Sequence, residues 1–99
     1  MRVRAYLHGT VFGDRSSVVA RRAVGDKLIL VPDPPGASPL AVWAHAAGGD
    51  VIGHLPTQVA AWLAPWMLEG GRVGATVTRV AGADTESWKR VEVEIDVYA

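Results

Sequence analysis

The sequence predicts a single mainly β domain of the α+β class, about six strands with one or two short helices. Three observations predict it. Near the C-terminus Val91, Val93, Ile95 and Val97 alternate with Glu92, Glu94 and Asp96, the period of two expected of a strand with one buried face. Near the N-terminus Val3, Ala5 and Leu7 alternate in the same way with Arg2, Arg4, Tyr6 and His8. Between them Val59, Trp62, Leu63, Trp66 and Met67 fall at i, i+3, i+4, i+7 and i+8, the apolar stripe of an amphipathic helix.

Residues 2–8 make the first strand, and "FGDRSS" (12–17) is a turn-rich break. "VVARRAV" (18–24) reads either as a short helical turn or as irregular chain. A Gly-Asp turn then feeds a buried strand over Lys27–Val31. The stretch "VPDPPGASPL" (31–40) holds four of the chain's six prolines; each fixes its own φ and none can donate to a ladder, so this is a stiffened loop. Alternation resumes in "LAVWAHA" (40–46), with Leu40, Val42 and Ala44 on one side and Ala41, Trp43 and His45 on the other. "AGGD" turns this strand into "VIGHL" (51–55), a hairpin. The helix occupies 56–71, with Pro56 at its start and Gly70 and Gly71 at its end; Pro65 is expected to kink it near Ala64 or end its regular part there. Trp62 and Trp66 are read as core residues at helical spacing. The last strands, 72–80 and 87–99, are joined by "AGADTE" (81–86). Arg2 and Arg4 can pair across to the acidic row of the last strand, which would set the two terminal strands side by side as in a closing barrel.

Ninety-nine residues suit one domain over 1–99. The net charge is zero but unevenly spread, because residues 1–27 carry six basic groups against two acidic ones. A local basic patch is therefore possible in a chain that lacks the overall positive charge common among nucleic-acid binders. No cysteine is present, which excludes disulfides and thiolate metal sites. The N-terminus has no continuous apolar centre of a signal peptide, and no apolar run approaches the roughly 20 residues that span a bilayer. The chain reads as a soluble cytoplasmic protein or an excised domain without membrane partners. His8, His45 and His54 match no metal-ligand spacing, Ser16 and Ser17 lack a nucleophile elbow, and no phosphate loop follows a strand. No metal, cofactor or catalytic residue is expected.

Five strings, "VFGDR" (11–15), "GDKLILVPDP" (25–34), "LAVWA" (40–44), "VIGHLP" (51–56) and "VAAWLAPWM" (59–67), run in an order that resembles the HIRAN domain family over roughly residues 5–98. That resemblance implies a small OB-like β-barrel of about six strands with one or two helices and no activity of its own. It also implies a module that binds single-stranded DNA and captures a free 3′-hydroxyl end. Arg15 matches the arginine that follows the family's glycine turn, and His54 the histidine of some members' "GHL" string. Ser16 and Ser17 stand where DNA-binding members carry aromatics. The loop "PGASPL" offers only Ser38 as a polar group where the family has asparagine, tyrosine and aspartate. Trp43 stands where the family often has a polar residue and is a candidate compensating platform, against the plainer reading that it packs under the proline loop.

Two readings follow. In the first the chain is a non-catalytic module for single-stranded DNA or a DNA end in a repair or replication context. Arg15, Arg21, Arg22 and His54 would position phosphate, Ser16 and Ser38 would offer hydroxyls, and Trp43 or Tyr6 would stack; Arg21 and Arg22 enter on charge alone. In the second it is a protein-interaction domain that kept the fold and lost the DNA pocket, docking a protein partner through exposed prolines and tryptophan.

Overall fold

The structure is a computed structural model describing residues 1–82 and 84–98. Ala83, in the expected 81–86 connection, and Ala99, at the expected end of the last strand, lie outside the described residues.

Among the described residues six strands and two helices follow in the order β1 (Arg2–Tyr6), α1 (Arg15–Ala20), β2 (Lys27–Pro32), β3 (Val42–His45), β4 (Val51–His54), α2 (Thr57–Leu68), β5 (Arg72–Val80) and β6 (Val91–Tyr98). A single 3₁₀ turn at Ser87–Lys89 precedes β6, so the last strand begins four residues later than the sequence predicts. All strands pair antiparallel in one curled sheet of order β1-β6-β5-β2-β3-β4. The fold is mainly β, as the alternating segments predict, and its curled half-barrel sheet is consistent with the small OB-like barrel that the resemblance implies. Val91, Val93 and Ile95 of β6 are fully buried, as the period of two requires.

The terminal strands lie side by side as anticipated. Arg2 pairs with Asp96 and Arg4 with Glu94 across the β1–β6 ladder, with ion-pair distances of 2.9 and 3.3 Å. These arginines are mostly exposed, so the pairs set register more than they stabilise.

Helix α1 begins at Arg15, inside the segment expected to be a turn. Val18 and Val19 are buried and pack the helix against β4, and this tertiary contact outweighs the poor helix propensity of Ser-Ser-Val-Val. β2 is half-buried, not buried: Leu28 and Leu30 face the core while Ile29 and Val31 are exposed on the outer face.

Helix α2 does not end at Ala64. Pro65 lacks the N–H that would reach Ala61, but both residues lie on the exposed side, where water can satisfy the freed carbonyl. The helix buries Ala60, Leu63 and Ala64; Trp62 is 40% exposed and Trp66 only half-buried, so neither tryptophan is a central core residue. The helix closes in a Schellman motif, with Gly70 in the left-handed region donating to Met67 and Gly71 donating to Trp66. None of the helices among the described residues is long and apolar enough to cross a membrane.

The curl of the sheet brings its two edge strands together at one point. His8, just after β1, forms an antiparallel bridge to His54 at the end of β4. The His8 N–H donates to the His54 carbonyl at 2.8 Å and the His54 N–H donates to the His8 carbonyl at 3.0 Å. The seam cannot lengthen. Pro56 has no N–H to offer, and at Gly9 the chain turns away with a φ of +68°. Gly53 makes the close approach possible, since a Cβ there would stand 2.6 Å from the His8 carbonyl oxygen.

Candidate functional site

The seam creates a lateral row on the outer face. Val31 of β2 lies opposite Trp43 of β3, Trp43 opposite His54 of β4, and His54 opposite His8. Adjacent side chains on one face of antiparallel strands are in reach of one another. The Trp43 and His54 rings meet edge to face with centroids 5.5 Å apart, and the His54 and His8 rings do so at 5.9 Å.

Arg15, the first residue of α1, lies over this row. Its guanidinium sits 5.6 Å from the Trp43 ring centroid and 5.7 Å from that of Phe12, so it bridges two aromatics. Nη1 donates to the Gly9 carbonyl at 2.9 Å, which fixes the group in place. Among the described residues no carboxylate pairs with Arg15. His54 donates from Nδ1 to the Leu55 carbonyl at 3.1 Å, leaving Nε2 for other contacts. A Cβ on Gly9 would stand 3.2 Å from His54 Nε2 and 3.3 Å from Arg15 Nη1, so the missing side chain is what lets these two groups converge.

Trp43 owes its orientation to Asp33, at the mouth of the proline loop. Its indole N–H donates to Oδ1 at 2.9 Å while the Ala41 N–H donates to Oδ2 at 2.9 Å. One carboxylate thus clamps both ends of the loop and leaves the tryptophan half-buried. These two donors, the Ala41 amide first, hold the Asp33 carboxyl below its ordinary value of 3.8. Because the folded state favours the ionised form, the stabilisation is present above the ordinary value and is lost as pH falls through the folded one. The Trp43 indole N–H resonance should therefore shift in an acid titration with its midpoint below 3.8. Asp33→Asn should erase that step, and an unchanged titration in the variant would disprove the clamp.

Of the residues singled out from the sequence, the structure gathers Arg15, Trp43 and His54 and leaves the others apart. Ser16 is exposed on α1, lining a shallow groove with Val80 and Arg90. Ser38 is exposed on the proline loop, and Arg21 is exposed at the end of α1. Arg22, just past the end of α1, folds back on that helix, donating from Nε to the Val18 carbonyl at 3.2 Å. Tyr6 is half-buried on β1 opposite Glu92. Sequence reasoning missed Asp33, Gly9 and Phe12. Phe12 is 65% exposed and lies within the string "VFGDR", three residues before Arg15, whereas the resemblance implies aromatics at the positions of Ser16 and Ser17.

No protein-family model matches the chain, and no curated protein matches it significantly. Among solved structures it is similar to the HIRAN domain of human HLTF, with a TM-score of 0.71 over 97% of this chain and 74% of that one, at 18% sequence identity. At that identity the likeness establishes the fold, and the chain has the fold of a HIRAN domain.

Proposed function

We propose that the chain is a non-catalytic nucleic-acid-binding module that takes single-stranded DNA across the outer face of β2, β3 and β4, beside the His8–His54 seam. The observation that carries this reading is the Arg15 guanidinium, free of any carboxylate partner among the described residues and flanked by Phe12 and Trp43 beside His54. Such an arrangement offers one phosphate a charge-assisted fork and neighbouring bases an aromatic face. The HIRAN fold and the DNA binding implied by the sequence resemblance support the same reading. In this reading specific capture of a 3′-hydroxyl is not required: each Asp33 oxygen already accepts a bond within the loop, and the Ser38 hydroxyl is the only side-chain polar group between Pro34 and Leu40.

Fluorescence anisotropy with short single-stranded oligonucleotides ending in 3′-hydroxyl or 3′-phosphate tests this. Both should bind with similar affinity, and log K should fall with log salt at a slope of about −0.7 to −1.4, as for one or two phosphate contacts. Strong preference for the 3′-hydroxyl would restore end capture as the function, and absence of binding at low salt would sink the nucleic-acid reading.

A second reading, a protein-interaction module, is favoured by an apolar groove of about 450 Å³ at the other end of β1 from His8. Met1, Trp62, Trp66, Val97 and Tyr98 line it. Exposed aromatics in such a groove are the kind of surface that a protein partner covers.

A further inference from the structure

Beside Arg15, between the Phe12 turn and the start of β4, there is a notch of about 310 Å³ that Trp43 and His54 do not line. Phe12, Arg15, Val51 and the two aspartates Asp14 and Asp50 line it. Its chemistry differs from the seam. A carboxylate only accepts hydrogen bonds, and two of them repel phosphate, so the sugar-phosphate chain is kept to the Trp43 and His54 side of the guanidinium. Phe12 presents an apolar ring to solvent at a turn, 65% exposed, with the Arg15 guanidinium 5.7 Å from its centroid. A planar group with a π face and an N–H edge satisfies both features at once.

We propose that this notch seats one nucleobase, stacked on Phe12 and read at its exocyclic amino group by the Asp50 carboxylate. The proposal rests on the nucleic-acid reading and extends it to base preference. Cytosine offers N4–H₂ to a carboxylate, whereas thymine turns the O4 acceptor toward it at the same position, so the site favours cytosine. Stacking on Phe12 supplies affinity without choosing among bases. The guanidinium, shared by notch and seam, links the seated base to its own phosphate.

The test is equilibrium titration of labelled decamers of dC and dT against the full chain, with Phe12→Ala, Phe12→Tyr, Asp50→Asn and Arg15→Ala alongside. Circular dichroism and thermal melting verify that each variant folds. The wild type should bind the dC decamer about fivefold tighter than dT. Asp50→Asn should bring that ratio close to one, because an amide can donate to O4 as readily as it accepts from N4. Phe12→Ala should weaken both decamers about tenfold, in line with loss of one stacked base, and Phe12→Tyr should retain binding. Equal affinity for dC and dT in the wild type, with binding still dependent on Arg15, would overturn the notch and leave the nucleic-acid reading standing. An Asp50→Asn variant that tightens both decamers equally would also overturn it, since only charge would then be at work. If neither decamer binds the wild type, both proposals fall.

Discussion

Gly53→Ala will destabilise the domain by about 3 kcal/mol, combining an overpacked contact with the loss of up to two seam hydrogen bonds. For a domain of this size that is a fall in melting midpoint of roughly 12–24 °C. The reason is local and unforgiving. The added Cβ would stand 2.6 Å from the His8 carbonyl oxygen, and its neighbour is backbone, held by the very bond that closes the sheet. Relief requires His8 to move away from His54, which opens the seam. Gly9→Ala is the informative contrast. Its Cβ would meet the His54 ring at 3.1 Å, a side chain that can turn, and its main cost is the left-handed backbone at φ +68°, about 1–2 kcal/mol. Gly9→Ala should therefore hurt oligonucleotide binding more than stability, and Gly53→Ala the reverse. Thermal melts read by circular dichroism, paired with anisotropy below the midpoint, separate the two. A Gly53→Ala protein that melts with the wild type would show that the His8–His54 bridge does not hold the sheet closed.

The parts of the fold visible in the sequence are those written as periodicity. The Val-Glu-Val-Glu-Ile-Asp-Val run of β6 and the Arg2 and Arg4 positions of β1 specified both the strands and their pairing, because opposite charges at matched intervals leave little choice of register. The helical stripe of α2 was legible too, yet the buried face is turned by about one residue, roughly 100°, from the one the tryptophans suggest. Ala60 and Ala64 let the helix axis approach the sheet, whereas Trp62 and Trp66 are too bulky for that position and lie beside it. Hydrophobicity ranked the tryptophans first; packing geometry preferred the alanines.

The site was legible only as single residues. Arg15 and His54 could be marked by likeness to known strings, and Trp43 by its place on an outer strand face. What joins them is tertiary: a bridge between residues 8 and 54 and a carboxylate at 33 reaching an indole at 43. No period or spacing encodes such contacts. Arg21 and Arg22 show the converse, since a count of charges cannot reveal that Arg22 is turned back onto the Val18 carbonyl of the preceding helix.

The strongest effect on binding is expected at Arg15. Arg15→Ala should weaken single-stranded DNA by about 30- to 100-fold, the equivalent of about 2–3 kcal/mol for a charge-assisted contact to phosphate. The slope of log K against log salt should become shallower by about 0.7, the signature of one lost phosphate contact on a single strand. Stability should change by only about 1 kcal/mol, because the variant gives up one hydrogen bond, to the Gly9 carbonyl at 2.9 Å. Arg15→Lys distinguishes charge from shape. Lysine keeps the charge and so should keep the salt slope, but it cannot lie as a flat fork between Phe12 and Trp43, and its affinity should remain well below wild type. Full rescue by lysine would mean that the aromatic flanks are incidental and that Arg15 is a simple point charge. An alanine variant that binds as well as wild type, with the slope unchanged, would remove the guanidinium from the interface and shift attention to the apolar groove of Trp62, Trp66 and Tyr98.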